Sequence, residues 1–518
     1  MSCSVIAIKM RCYHIKYLQM VLFFWFILNV ACHAKNKTKN NIEQSSPSSF
    51  SIVLTTQVKG SLEPCGCTSH PLGGLSKFAF FVEQKKKQGP VLLLNNGDFL
   101  FEKEILHTDE IPQQQQKANI LANTYQSLGV FAQLPGAIDR AQNHQTFFKT
   151  LKNPWLLNHA DTKLAFNFSI PIAVIAVTQA QDQDRIKARI QALKQQHASL
   201  FVIALSLLNW EQNQAFFGSI PDLQLIVSKG DIQPHTPIKI ANAWMLDAGE
   251  QGQYAVNLDV FIKNQDLKFE LDDQGEQERN ATLRLIKALE QEIAQLEKQD
   301  PKNTNTISLK QHVLEQYKQS LQTFKIKKEP TGNYLNYHLI PFSKQDKESQ
   351  NINQSMREYN RMLCQLASLF ENTKDCQTTP IDTRYLGSSS CQNCHPKAYE
   401  TWQKTKHAHA FNTLQQKEKQ CDLSCIGCHS IGFKKPGGFC SVSQVGTLKD
   451  VGCESCHGPG EVHLNVLKNK SKDDLLFIRR PQVQVCQQCH TKEHSDLFNF
   501  NHYLPRILGP GHEQKQVP

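Results

Sequence analysis

The chain has 518 residues, with 57 Lys and Arg against 47 Asp and Glu, which gives a formal net charge of +10. This length exceeds that of one ordinary domain, so several are expected. The charge is modest for the length, and no basic stripe with interleaved aromatic residues occurs, so the composition does not favour a nucleic-acid partner.

The N-terminus has the pattern of a secretory signal. A basic region precedes an apolar run from Tyr17 to Ala31, and a polar stretch follows. This order is typical of a signal peptide. We expect the signal peptide over 1–34, with cleavage after Ala34, then a polar linker over 35–49. The alternatives are lipidation of Cys32 or retention as an uncleaved membrane tether. Each predicts a periplasmic or otherwise exported protein.

Residues 50–264 alternate between apolar strand-like runs and amphipathic or polar helical stretches. The predicted strands cover 51–56, 91–95, 172–178, 201–208 and 223–227, and helices are predicted over 113–128 and 182–197. Such alternation is typical of a layered α/β domain.

Segments of this domain resemble the 5′-nucleotidase/UDP-sugar hydrolase type of metallophosphatase. The resemblance covers residues 51–262 and includes the runs 52–64, 91–98, 134–139, 226–230 and 244–249. It implies two metals held by Asp, His and Asn side chains, which activate the attacking water. Here the matching positions read Gln57-Val-Lys59, Ala137-Ile138 and Gly230-Asp-Ile232, and Asp98 alone is retained. We therefore expect an inactive phosphatase-like domain.

Two cysteines follow the first predicted strand, in the sequence Cys65-Gly-Cys67. They are candidates for a redox pair or for soft metal ligands, with His70 near enough to take part. A purely structural role, including participation in separate disulfides, is the alternative.

Residues 265–330 predict a helical hairpin, with apolar residues at helical spacing over 276–298 and 308–324. We interpret the hairpin as a spacer or docking arm. Residues 331–380 predict a strand over 333–341, a helix over 347–371 and a linker.

Residues 381–518 contain four copies of Cys-x-x-Cys-His, the attachment signature of c-type haem. The two thiols form thioethers to one haem, and the adjacent His is the proximal iron ligand. The motifs are Cys391, Cys394 and His395; Cys425, Cys428 and His429; Cys453, Cys456 and His457; and Cys486, Cys489 and His490. They predict four covalently attached haem c groups in a mainly α and loop domain. Zinc sites and disulfides explain the spacing less well, because neither needs a His after each second Cys.

Two further cysteine pairs flank these motifs. Cys421 with Cys440, and Cys364 with Cys376, are candidate disulfides in an oxidising compartment.

The C-terminal domain resembles the tetrahaem cytochrome c-552/c-554 family. The resemblance spans residues 385–512 and includes the motif context around 391–410, 452–463 and 486–512. It implies that His407, His463 and His512 are distal iron ligands. It also implies that the second iron, at His429, is five-coordinate.

Three more histidines in this domain, His409, His494 and His502, remain candidates to cap that iron, the alternative being surface positions.

The sequence therefore predicts an exported tetrahaem cytochrome that mediates electron transfer between redox partner proteins, with the phosphatase-like domain for docking or ligand binding. One alternative is an oxidoreductase acting on a small nitrogen or sulfur compound at a five-coordinate haem. Another is a metal-dependent nucleotidase or phosphoesterase carrying a haem domain.

Overall fold

The computed structural model describes most of one compact unit that spans Ser48–Pro518. The described residues are 49–64, 71–108, 110–151, 155–272, 276–299, 304–323, 330–369, 384–440, 442, 446–468, 481–491, 494–495 and 498–512. The predicted signal peptide, most of the polar linker, Cys65, Cys67 and His70 lie outside them. Among the helices of these ranges, none is long and apolar enough to cross a membrane.

Twelve strands of the described residues form two six-stranded sheets. The strands are β1 (Phe50–Thr56), β2 (Val91–Gly97), β3 (Val130–Pro135), β4 (Thr162–Ala165), β5 (Ile172–Val177), β6 (Phe201–Ser206), β7 (Leu225–Val227), β8 (Ile238–Ile240), β9 (Ala243–Leu246), β10 (Tyr254–Phe261), β11 (Phe269–Asp272) and β12 (Asn333–Pro341). The first sheet has the order β11-β12-β10-β1-β2-β3, and the second has the order β4-β5-β6-β7-β9-β8.

Helices lie outside the two sheets and continue into the C-terminal part. They are α1 (Leu75–Gln88), α2 (Ile111–Ser127), α3 (Gln145–Thr150), α4 (Gln183–Gln196), α5 (Trp210–Phe217), α6 (Glu276–Gln299), α7 (Thr304–Thr323), α8 (Gln350–Leu369), α9 (Pro396–Gln403), α10 (Ala410–Gln416), α11 (Leu423–His429), α12 (Cys453–His457), α13 (Glu461–Lys468), α14 (Val483–Gln487) and α15 (Phe500–Ile507).

The sheets pack face to face because their strands bury both faces. In β1, Ile52 and Leu54 enter the core between the sheets, whereas Val53 enters the core formed with α1, α2 and α8. Successive side chains of a strand point to opposite faces, so one strand serves both cores. A third core lies on the outer face of the second sheet, against α4 and α5. The predicted α/β layered class is therefore confirmed, as two sheets with helices on both outer faces.

The predicted hairpin is present as α6 and α7, inserted between β11 and β12. Both of these strands belong to the first sheet, and residues 334–341 of β12 pair antiparallel with β10. The chain therefore returns to the first sheet after the hairpin. The α/β region, defined here as the described part of residues 49–369, ends with α8, which packs on that sheet beside α2.

The haem-motif region, defined as the described part of residues 384–512, consists of short helices joined by turns. Its apolar cluster is small and contains Phe411, Leu414, Ile426 and Phe439. The predicted mainly α and loop character of this region is confirmed.

Candidate functional site

Each of the four Cys-x-x-Cys-His motifs lies on one helical turn. The second and third motifs lie on α11 and α12. In the first and fourth, the backbone N–H of His395 donates to Cys391 O (2.9 Å) and that of His490 donates to Cys486 O (2.8 Å). Residues four apart share a helix face, so each motif presents its first thiol and its imidazole on the same side.

The motif histidines His395 and His490 each face a second imidazole across a short gap. The ring centroids of His395 and His463 are 6.4 Å apart, and those of His407 and His490 are 6.2 Å apart. Two metal–nitrogen bonds of about 2.0–2.1 Å, with about 1.1 Å from each nitrogen to its ring centre, place two imidazoles about 6.3 Å apart across one metal ion. Both pairs therefore fit an iron bound between them.

An imidazole also lies beside the third motif, that of His512. Burial lowers the pKa of His512, and the electrostatic interaction with His457 lowers it further. The buried Nδ1 of His512 has no hydrogen-bond partner among the described residues. Gly511 has φ +98°, and a Cβ there would lie 2.6 Å from Ala398 N, so only glycine lets this segment approach α9. This approach brings His512 to the first and third motifs.

The surroundings of four histidines, His407, His463, His490 and His512, favour the neutral form of the ring. Burial lowers the pKa of His407, His463 and His512, and the facing histidine lowers it further in each case. Burial also lowers the pKa of His490, whose ring stacks on Phe498 at 4.6 Å. Iron binds the neutral imidazole, so this environment favours the ligand state.

His429 of the second motif has a different environment. Its Nδ1 contacts Ala410 O at 2.6 Å, which leaves Nε2 as the metal-binding nitrogen. Among the described residues, no second imidazole ring faces it at the separation seen in the first and fourth motifs. His409 Nε2 contacts Gln403 O at 3.1 Å, and His502 Nε2 contacts Arg506 at 2.6 Å. His494 lines the same cavity as His429.

Contacts between attachment cysteines give the motifs a spatial order. Cys391 of the first motif lies beside Cys453 of the third, and Cys428 of the second lies beside Cys489 of the fourth. Cys456 of the third motif is an electrostatic neighbour of the fourth, through Cys486. The order is therefore first, third, fourth, second.

The second motif, at one end of that order, is attached to the α/β region. The side chain of Gln113, on α2, donates to Asp422 Oδ1 (2.6 Å) and accepts from the backbone N–H of Leu423 (3.0 Å). Asp422 is the N-cap of α11 and accepts from Ser424 N at 3.0 Å. Residues of the α/β region therefore hold the start of the helix that carries the second motif.

Two ion pairs and a disulfide strengthen the same junction. Lys419 pairs with Glu63, and Lys434 pairs with Glu110 at 3.2 Å. Cys364, on α8, forms a disulfide with Cys421, which is 3% exposed. Hydrogen bonds, ion pairs and a disulfide, three kinds of contact, thus join residues 419–434 to the α/β region.

This disulfide corrects both predicted pairings. Cys421 bonds to Cys364 and not to Cys440, and Cys364 therefore does not bond to Cys376. Cys440 is also disulfide-bonded. The pairing was predicted from closeness in sequence, whereas α8 brings together two cysteines that are 57 residues apart.

At the phosphatase-like positions, polar side chains bind backbone groups. Gln57 Oε1 accepts from Asp98 N at 2.5 Å, and Asp98 Oδ1 accepts from Ile138 N at 2.8 Å. Asp139 accepts from the backbone N–H groups of three consecutive residues, Phe99 to Phe101. Burial and the charge of Asp98 raise the pKa of Asp139 to about 8. The one retained carboxylate, Asp98, thus stabilises the loops that follow β2 and β3.

Two further substituted positions, Lys59 and Ile232, have a structural partner or face solvent. Lys59 forms an ion pair with Glu250, and the side chain of Ile232 is 63% exposed. Within the described ranges, no group of three or more His, Cys, Asp or Glu side chains is arranged to hold a metal ion.

Several contributors to this site carry no signal in the sequence. Gln113 is one of four consecutive glutamines, and its partner lies more than 300 residues away. Glu454, between two cysteines of the third motif, accepts from Leu386 N, Gly387 N and Gly460 N. Asp422 is the exception, because an Asp directly before a short helical motif indicates an N-cap.

The motif region matches a known protein family. Residues 390–458 match the model of the family described as cytochrome c554 and c-prime. Cytochrome c-554 of Nitrosomonas europaea is 35% identical over 109 residues, which cover 18% of this chain and 46% of that protein. The match thus spans less than half the length of this relative.

Solved structures similar to the chain include SoxB sulfate thiohydrolase of Thermus thermophilus, with a TM-score of 0.40 and 10% identity over 62% of each chain. A 5′-nucleotidase precursor of Thermus thermophilus gives a TM-score of 0.40 at 11% identity over 65% of this chain and 61% of that chain. A 5′-nucleotidase of Staphylococcus aureus gives 0.40 at 8% identity, over 78% and 70%. These values carry no conclusion about activity. Residues 390–458 are thus similar to the cytochrome c554 family, and that family implies covalently bound haem c. The two-sheet α/β region precedes them in the chain.

Proposed function

We propose that the chain is an exported tetrahaem c-type cytochrome that transfers electrons between redox partner proteins. The observation that carries this proposal is the separation of the imidazole pairs His395 with His463 and His407 with His490, at 6.4 and 6.2 Å. Bound haem supplies one-electron chemistry, and two axial histidines favour electron transfer over ligand binding. We assign His512 to the third motif in the same role.

The four motifs are each proposed to hold one haem through two thioethers and one proximal imidazole. The cysteine neighbours arrange the motifs in a row, and the second motif ends that row against the α/β region. A row of motifs suits a protein that receives electrons at one end and delivers them at the other. Which end receives them depends on the partner.

Haem counting and electron paramagnetic resonance test this proposal. We expect four covalent haems per chain by intact mass and by haem absorbance. Three irons should give low-spin signals of two axial histidines. Fewer than four haems, or fewer than three low-spin irons, would contradict it.

We further propose that the α/β region does not hydrolyse phosphoesters. The support is that Gln57 and Asp98 are bound to backbone N–H groups and Lys59 to Glu250, so these groups are committed to the fold. Its role is to fix the second motif and to offer a docking surface. Nucleotide hydrolysis with added Mn²⁺ that is abolished by Asp98→Ala would refute this; we expect no hydrolysis.

A second candidate function is ligand chemistry at the second motif. It is favoured by the environment of His429, which faces no second imidazole within the described part of the chain, while His409 and His502 contact other groups. A five-coordinate iron there would bind a small nitrogen or sulfur compound. A high-spin signal that changes on addition of nitric oxide or hydroxylamine is the expected result, and low-spin spectra in both redox states would exclude the function.

A further inference from the structure

The ring of His429 contacts a peptide group that is itself bound to a carboxyl group. His429 Nδ1 lies 2.6 Å from Ala410 O. A carbonyl oxygen can only accept, so Nδ1 carries the proton and is the donor of this bond. The N–H of Phe411, at the other end of the same peptide unit, donates to Asp450 Oδ1 at 2.8 Å. The carboxyl group, the peptide and the imidazole thus form one hydrogen-bonded chain.

A peptide unit transmits polarisation from one end to the other. Its C=O and N–H are conjugated across a planar, trans bond. A negative group that accepts from the N–H shifts electron density toward the carbonyl oxygen, since hydrogen bonds in a chain polarise one another. The Asp450 carboxylate therefore makes Ala410 O a stronger acceptor for the proton on His429 Nδ1.

The backbone also holds Asp450 beside His429. The Asp450 N–H donates to His429 O at 3.0 Å, next to an antiparallel bridge between Ser430 and Lys449. Asp450 is 6% exposed and has φ +73°, a left-handed conformation that Asp and Asn adopt more readily than most residues. The position of the carboxyl group relative to the second motif is thus fixed by main-chain contacts on both sides.

The charge of Asp450 is set by opposing influences. Burial raises the pKa of its carboxyl above the ordinary value, whereas the hydrogen bond from Phe411 N–H and then the charges of Lys449 and His409 lower it. The hydrogen bond and the basic neighbours therefore favour the charged form, which is the stronger acceptor.

We propose that Asp450 is a positioning residue for the second motif, which acts through the peptide unit of Ala410 and Phe411 to orient the His429 ring and to increase the electron density on its Nε2. The inference rests on the haem that we propose at this motif. Hydrogen bonds to the far nitrogen of a metal-binding histidine fix its ring and raise its basicity. They also tune the potential of a haem iron. Asp450 thus lowers the reduction potential of the second haem.

Asp450→Asn separates the charge from the shape of the side chain. The amide oxygen still accepts from Phe411 N–H, and Asn tolerates the left-handed backbone. In the full-length, haem-loaded protein, we expect the iron–histidine stretching band of the ferrous second haem to move to lower frequency in resonance Raman spectra. In a redox titration, the equilibrium constant for reduction of this haem should rise about three- to tenfold, as on exchange of a charged for a neutral hydrogen-bond partner.

The matched control is Lys449→Gln. It changes the charge by one unit at the adjacent, exposed position but leaves the hydrogen-bonded chain intact. The band should then stay at the wild-type frequency. A purely structural contact would leave the band unchanged in Asp450→Asn as well, because the amide keeps the bond. A band that moves equally in both variants, or in neither, overturns the role of Asp450 but retains the haem at His429.

The other outcomes also decide. A wild-type protein with three covalent haems and an unmodified second motif by peptide mass refutes the haem at this motif, and the inference with it. If the second iron has two axial ligands, its potential replaces the band, and shifts of equal size in Asp450→Asn and Lys449→Gln overturn the role of Asp450. If Asp450→Asn does not fold, Asp450→Glu is measured instead. Its longer side chain displaces the carboxylate from Phe411 N, so a band and a potential equal to wild type overturn the proposal.

Discussion

Removal of the Gln113 side chain should loosen the second motif from the α/β region. In Gln113→Ala, Asp422 loses a charge-assisted hydrogen bond of 2.6 Å, and Leu423 N–H loses its acceptor at 3.0 Å. A bond to a charged group contributes about 1.5–3 kcal/mol and a neutral one about 0.5–1.5 kcal/mol. We therefore expect the free energy of unfolding to fall by about 3 kcal/mol.

The measurement is a guanidinium titration followed by haem absorbance and, in parallel, by circular dichroism. Gln116→Ala is the matched control, since it lies one turn further along α2, is half-buried and has no side-chain hydrogen bond to the described residues. The two variants should differ by most of the 3 kcal/mol estimate, with the larger change in the haem signal. Equal stabilities of Gln113→Ala and Gln116→Ala would show that the two hydrogen bonds do not hold the junction.

Three further predictions concern the histidines, the disulfide and pH. His407→Ala should convert one low-spin iron to high-spin in paramagnetic resonance spectra, whereas His409→Ala should not, because His409 contacts a backbone carbonyl; equal spectra of the two variants would refute the assignment. Replacing both Cys364 and Cys421 by Ala removes a disulfide between residues 57 apart, and the free energy of unfolding in denaturant titrations should fall by about 4 kcal/mol. A fall below about 1 kcal/mol would contradict this prediction. The pKa of Asp139 is raised from 3.8 to about 8, so the folded chain retains a proton that the unfolded chain releases, and stability falls as pH rises through this window. The stability advantage of wild type over Asp139→Asn should therefore be larger at pH 5 than at pH 8, and a constant difference would disprove the raised pKa.

Local patterns in the sequence predicted both hairpin helices and six of the twelve described strands, namely β1, β2, β5, β6, β7 and β12. The strand over 333–341 and the hairpin helices follow from alternation and from helical spacing, which are properties of neighbouring residues. The first-sheet strands β1 and β2 were found in the same way, since their apolar runs are short and bounded by polar residues. The haem motifs could also be recognised in the sequence, because haem attachment requires a fixed spacing of Cys and His.

Long-range contacts were not predictable in this way. The partner of Cys421 depends on where α8 packs, and the number of ways to pair several cysteines rises steeply with their count. The bond from Gln113 to Asp422 joins positions 309 apart and depends on how two regions meet. Contacts between distant residues therefore depend on how the two regions pack, which the pattern of a single segment does not contain.

The link between Cys364 and Cys421 has a consequence for maturation. Cys421 lies four residues before Cys425 and seven before Cys428, and these two thiols must stay reduced to form thioethers. Oxidation in an exporting compartment would pair any of the three with Cys364 if the chain were still unfolded. Burial of Cys421 against α8 selects one thiol for oxidation and leaves the other two for haem. In the proposed exported haem protein, folding of the α/β region before haem insertion would therefore protect the second motif from a wrong crosslink.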